Sequence, residues 1–575
     1  MRRTPPHPLA LLLGALAALV TAVPTTPAED AADLVLTRGV FYPVDPPAPV
    51  EGSLAVHDGV IVYLGPAAGA EPFVGPETEI IDLAGRAVTP GLIDAHSHLA
   101  GLGAALEQVD LVGTASYEEV VTRIAAGAAE LPPGAWVRGR GWDQNDWPIR
   151  EFPVHGPLSA AVPDRPVWVN RIDGHAALLN AGAMEELGID ETTPDPPGGR
   201  FLRDAEGWPT GVLIDNAMDV AGARLPAADA ATLRRRIAAA SDHAAARGLT
   251  TVTDMGVDGP TVDAYRALAD AGGLPIRAAL FLTDSAPLLA EWFAAGPEVH
   301  PGGRLTVRGV KLYADGALGS RGAALVEPYA DDPGNLGLLT ASGDHLAEVA
   351  ARAREAGFQV GIHAIGDRGN VVALDAIERA LGLLGVGWRD GRRERPHDDP
   401  RFRIEHAQVM RLPDIARMAE LGVIASMQPT HATSDMPWAG DRVGPRRLEG
   451  AYAWRKVLDA GGRLALGSDF PVERVDPLLG LHAAVTRQDL AGEPAGGWLP
   501  GERLTREEAL SGFTLDAAHS LFLEATVGSL APGKRADLVV FGRDPMRVPA
   551  AEIPEVEVDL TLVDGRVVHR REGAP

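Results

Sequence analysis

A chain of 575 residues exceeds what one ordinary hydrophobic core organises, so its length implies several folding units or one large barrel with additions. A hydrophobic content of 46% with 23% charged residues excludes global disorder, and a net charge of -26 argues against nucleic acid or an anionic membrane surface as partner. With no cysteine, disulfides, thiolate nucleophiles, iron–sulfur clusters and cysteine zinc sites are excluded, and any metal has to be held by His, Asp, Glu or a modified side chain.

In chain order, Arg2 and Arg3 precede an apolar run from Leu9 to Val23, followed by the small-residue patterns Val20-Thr21-Ala22 and Thr26-Pro27-Ala28. This reads as a signal peptide over residues 1–28, which implies export to a periplasmic or secreted location. An uncleaved N-terminal anchor is the alternative, because the run borders on spanning length. No later stretch is apolar enough to span a bilayer, so no stable membrane span is expected after cleavage. Residues 32–86 and 529–570 are rich in short strand patterns, with a hairpin signal at Asp58-Gly59. They predict one small β-sandwich domain built from both termini.

Between them, over residues 87–528, strand and helix patterns alternate. Eight strands are expected at 87–93, 250–253, 276–282, 307–313, 359–363, 402–405, 423–427 and 464–466, with helices at 344–355, 370–384, 414–421 and 451–460. Eight alternating units imply an α/β fold of the closed (β/α)8 TIM-barrel type, with an open doubly wound sheet as runner-up. Residues 99–247 interrupt the rhythm after the first strand and hold Trp136, Trp142, Trp147, Trp168 and Trp208, half of the ten tryptophans. Insertions of this kind sit on the loops that carry barrel active sites, so this one is expected to cap the pocket; a peripheral packing subdomain is the alternative.

Most of the 16 histidines, His431 among them, are isolated and read as surface or hydrogen-bonded side chains. Four differ. His96 and His98 follow the first strand two residues apart, so both can face one cation from an extended segment. His363 and His406 end the fifth and sixth strands, and Asp469 follows the eighth. All five fall where a barrel places its active site, and histidines with a carboxylate suit zinc or a similar divalent ion. Lys311, near the end of the fourth strand, is costly as a buried cation. A lowered pKa would leave a neutral amine able to add carbon dioxide, giving a carbamate that can bridge metals. The alternatives are a pair with Asp315 or an outward-pointing side chain.

The passages Thr89-Pro90-Gly91-Leu92-Ile93-Asp94-Ala95-His96-Ser97-His98, Val310-Lys311-Leu312-Tyr313-Ala314-Asp315-Gly316, His363-Ala364-Ile365-Gly366-Asp367-Arg368, Arg403-Ile404-Glu405-His406-Ala407 and Gly467-Ser468-Asp469-Phe470-Pro471-Val472 carry a resemblance. So does the tail Val527-Gly528-Ser529-Leu530-Ala531-Pro532-Gly533-Lys534-Arg535-Ala536-Asp537-Leu538-Val539-Val540. Over nearly the whole mature chain the sequence resembles the amidohydrolase superfamily, in the family 3 branch that includes N-substituted formamide deformylases. The resemblance implies two divalent metals, zinc by preference, held by His96, His98, Lys311, His363, His406 and Asp469, with carboxylated Lys311 as the bridge. It implies hydrolysis of a non-peptide carbon–nitrogen bond in a small molecule, with Asp469 passing the proton of the attacking water to the leaving amine. Trp142 and His175 stand in segments similar to family segments near the pocket, and Arg321 could meet an anionic group; packing or structural pairing is the alternative for each. An ester or lactone hydrolase on the same centre, or a catalytically silent binding protein, remains open at this level, as does homo-oligomerisation.

Overall fold

The run expected as one strand at 87–93 divides at Gly91. Pro90 has no N–H to extend a ladder, the Gly91 N–H bonds to Asp537 O, and the Leu92 N–H bonds to Gly248 O. A Cβ at position 91 would lie 2.1 Å from Thr250 Oγ1, so only glycine lets the chain pass this close. Ala87–Pro90 therefore belongs to the terminal β domain, and Leu92–Ser97 is the first barrel strand. This corrects the sequence reading, in which one apolar run hid the change of sheet. The computed structural model describes residues 31–132, 134–383 and 399–575. The expected signal peptide, residues 1–28, and the last residue of the expected helix 370–384 lie outside them.

The barrel strands are Leu92–Ser97, Leu249–Val257, Arg277–Leu282, Leu305–Tyr313, Gln359–Ala364, Arg403–His406, Ile424–Met427 and Leu464–Leu466. They pair in chain order, all parallel. The eighth meets the first through the turn that follows it: the Asp469 N–H donates to His96 O at 2.8 Å, and Asp94 accepts the Ser468 N–H and hydroxyl. Helices such as Gly343–Glu355, Asp367–Ala380 and Leu412–Leu421 cover the outside with their apolar faces.

The interval between the first two strands has three parts. Helices Leu99–Ala105 and Ala230–Ala245 lie on the barrel and touch each other, with Gly103 against the Arg236 backbone. Between them stands a six-stranded sheet, in the order Gly199–Arg203, Pro209–Asp215, Ala176–Leu179, Val167–Arg171, Val137–Trp142 and Val109–Asp110. The cap is therefore narrower than residues 99–247, because the ends of that interval are barrel helices.

Both chain ends form one eight-stranded sheet folded over a common core that includes Leu36, Phe41, Leu54, Val88, Leu538 and Leu560. Asp58-Gly59 and Asp564-Gly565 turn its hairpins with positive φ at both residues, the backbone that matches strand twist. Among the described residues no helix is long and apolar enough to cross a membrane.

Candidate metal centre

Strand register sets the site. Lys311 lies opposite Gly361, Tyr313 opposite His363, and His363 opposite Glu405, so the polar residues gather at the C-terminal ends of the strands. His96 is fully buried, and its Nδ1–H donates to Glu405 Oε2 at 2.6 Å. Glu405 also accepts from Arg403 Nε at 2.7 Å and Nη2 at 2.8 Å. Burial alone would raise the Glu405 pKa, but Arg403 and His96 hold it below the usual carboxylate range. Burial pushes His96 down to about 4, so the ring is neutral with a free Nε2 lone pair. That nitrogen stands 3.6 Å from Asp469 Oδ1.

His98 is built alike: its Nδ1 bonds to Met255 O at 3.0 Å, leaving Nε2 3.1 Å from Asp469 Oδ1. His406 Nδ1 donates to Gln428 Oε1 at 2.8 Å. Burial pushes His363 and His406 well below the ordinary histidine range, so both rings are neutral, and their centroids are 4.7 Å apart. Burial would raise the Asp469 pKa, but the nearby His96, His98 and His406 side chains shift it well below the ordinary carboxylate range. Among the described residues its buried Oδ1 has no hydrogen-bond partner. His406, Ala407 and Asp469 all take left-handed backbone (φ 71°, 44° and 64°), a strain of order 1–3 kcal/mol each that concentrates at functional sites.

These observations fit a divalent cation. His96 and His406 are neutral with Nδ1 committed to an oxygen, which leaves Nε2 as a ligand, His98 likewise has Nδ1 committed to Met255 O, and among the described residues Asp469 Oδ1 has no hydrogen-bond partner. His96, His98 and Asp469 offer ligand atoms within 4.8 Å of one another, and so do His406, His431 and Asp469. His431 was read as isolated. The available signal was its place four residues beyond Met427, at the end of the seventh strand, the same kind of strand-end address as the candidate ligands.

Lys311 is 1% exposed, and its Nζ lies 3.3 Å from His96 Nε2 and 4.9 Å from the Tyr313 ring centre. Burial pushes its pKa down to about 8. It neither points outward nor pairs with Asp315, which accepts the backbone N–H groups of Ala324, Ile365 and Gly366.

Over the centre lies a cavity of about 380 Å³ between barrel and cap. His175 lines it, with Nδ1 2.7 Å from Asp215 Oδ1 and its ring 5.0 Å from that of His363. Asp173 accepts the His175 backbone N–H and is held in turn by Arg171. Two expectations are corrected. Trp142 is fully buried in the cap core, donating to Val169 O, and Arg321 pairs with Asp331; neither lines the cavity. The strand ending at Trp142 turns that ring toward Trp147 and Phe152, away from the barrel.

Residues 79–569 match the profile of the amidohydrolase family, in its family 3 branch. The chain is 34% identical to the protein LONG AFTER FAR-RED 3 of Arabidopsis thaliana, over 90% of this chain and 88% of that one. It is 28% identical to the N-substituted formamide deformylase of Arthrobacter pascens, over 94% and 99%. Among solved structures, an uncharacterised metal-dependent hydrolase of Pyrococcus horikoshii superposes with a TM-score of 0.72 at 30% identity, over 90% of this chain and 99% of the other.

Proposed function

The chain belongs to the amidohydrolase family of metal-dependent hydrolases, and from that premise we propose that it hydrolyses a carbon–nitrogen bond other than a peptide bond, in an N-formyl, N-acyl or cyclic amide of small size. The observation that carries the reading is Asp469: a buried carboxylate among histidine side chains, with its pKa held low and one oxygen unpartnered among the described residues, on the wall of the cavity between barrel and cap.

His96, His98 and Asp469 would hold one divalent ion, zinc by preference, and His363 and His406 a second, with Lys311 joining them as a carbamate. When bound, such metals polarise a carbonyl and make water nucleophilic near neutral pH. The chain's own residues do the rest. Asp469 takes the proton of the attacking water on its carboxylate and delivers it to the departing amine nitrogen, which is poorly expelled without one. Glu405, fixed by Arg403, keeps the His96 ring oriented. The cap supplies one wall of the cavity, and His175, with Nδ1 held by Asp215, offers the substrate a polar contact. The named deformylase among the relatives supports the N-formyl class. Residues 1–28 are proposed to direct export, so the mature chain would begin after Ala22 or Ala28.

A panel of N-formyl amines, N-acyl amines, lactams, esters and lactones tests the reading with the zinc-loaded full chain. Turnover of amide-type substrates is expected. Turnover of esters or lactones alone would overturn the carbon–nitrogen assignment, and stoichiometric binding without turnover would favour a binding protein.

A further inference from the structure

The proposed reaction leaves one buried group on the cavity wall without a task. His431, on the short helix Pro429–Asp435, is 7% exposed and lines the cavity beside Asp469. Among the described residues its Nε2 has no hydrogen-bond partner, and it lies 3.6 Å from Asp469 Oδ2, beyond hydrogen-bond length. Two roles compete for that atom: a metal ligand together with His406 and Asp469, or a hydrogen-bond donor.

The tautomer decides between them. The side-chain nitrogen of Gln408 lies 3.1 Å from His431 Nδ1 and 3.4 Å from Asp435 Oδ2. The same Asp435 oxygen accepts the Tyr452 hydroxyl at 2.6 Å. Turning the amide over would set the Gln408 oxygen against this acceptor, so its NH₂ group faces both Asp435 and His431. Gln408 then donates to Nδ1, and a neutral imidazole with an accepting Nδ1 carries its proton on Nε2. A protonated nitrogen has no lone pair for a metal. It is a donor, aimed from a buried position toward the carboxylate beside which the substrate carbonyl must lie.

We propose that His431 donates its Nε2–H to the carbonyl oxygen of the substrate as negative charge develops there, with Gln408 and Asp435 as positioning residues that fix the tautomer. This rests on the hydrolytic reading above; the proton stays on His431, so the contact is a hydrogen bond and not a transfer. A donor aimed at developing charge contributes to rate more than to substrate binding.

The test compares wild type with His431→Gln, His431→Phe and Gln408→Glu, all zinc-loaded, by metal content, kcat and KM on whichever substrate turns over, and affinity for acetohydroxamate. Nitrogen-15 spectra of the imidazoles with cadmium-113 in place of zinc supply a further readout. Both His431 variants are expected to keep wild-type metal content. His431→Phe should lose about 10²-fold or more in kcat with a small change in KM, and bind acetohydroxamate about tenfold or more weakly. His431→Gln, which keeps an N–H, should lose less. The His431 signal should show protonated Nε2 without cadmium coupling, and Gln408→Glu should move the proton to Nδ1. Loss of metal with His431, cadmium coupling to its Nε2, or unchanged kcat and hydroxamate affinity would each overturn the proposal. If wild type turns over nothing on the panel, the hydrolytic reading fails on its own, while the metal, hydroxamate and spectral arms still decide the role of His431.

Discussion

Asp469 is asked to bind a cation and to move a proton, and one substitution separates the two. Asp469→Asn keeps the shape and one oxygen but cannot take a proton at neutral pH. Metal-replete Asp469→Asn should retain most of its metal and lose about 10²–10⁴-fold in turnover; near-normal turnover at full metal would remove the shuttle role. Glu405 acts a step further from the reaction. Glu405→Gln should weaken metal binding about 10–100-fold, read by competition with a chelator, because the His96 ring loses its charged anchor. Its pH signature has a definite sign. A carboxylate held below its unfolded pKa adds stability that is fully present above that unfolded value, about 4.3, and is lost as pH falls toward the folded one. Acid unfolding of apo Glu405→Gln, followed by circular dichroism, should therefore be flatter below about pH 4 than that of apo wild type; identical profiles would deny the charge its structural role. At this scale the sequence singled out the candidate ligands that end strands inside dense motifs. It did not show His431, whose tautomer depends on Gln408 and Asp435, or that Arg321 would find Asp331, because such pairings exist only once distant segments meet.

Among the elements, the cap sheet is where burial and function were hardest to tell apart. Tryptophan-rich segments signal buried rings, but a cap buries rings both in its own core and over the pocket. Trp142 went to the core, with its N–H satisfied by Val169 O. Trp142→Ala should cost about 3–5 kcal/mol of cap stability through the cavity it leaves, measured by denaturant unfolding. A change in substrate preference with no loss of stability would return it to the pocket wall. The break at Gly91 was hidden for a related reason: hydrophobic periodicity marks burial but not which sheet buries the residue. The barrel strands were legible because each is a short apolar run followed by a polar strand end and a helix.

For the whole molecule, the order of strands and the pairing of the chain ends followed from pattern, whereas the join between β domain and barrel did not. Arg277, on the third barrel strand, reaches Asp537 and Asp564 of the β domain at 2.5–2.9 Å and is nearly buried. Arg277→Met would leave the buried Asp537 without its cation at the junction, while Asp564 keeps Arg304 and Arg535. Breaking a buried pair from one side costs about 3–5 kcal/mol, so the variant should unfold at lower denaturant with metal content unchanged in the folded state. Unaltered stability would mean that the remaining contacts across the junction, such as Arg304 with Asp564 and Thr561 with Ala245 O, hold the two domains together without it.

Titration of the metal-free chain with zinc in bicarbonate buffer decides whether this centre works through bound metal. Hydrolysis of an amide-type substrate is expected to be absent at the start, to rise with zinc to a plateau near two equivalents per chain, and to fall short of that plateau in Lys311→Met. Turnover by the metal-free chain equal to that of the loaded one would contradict it.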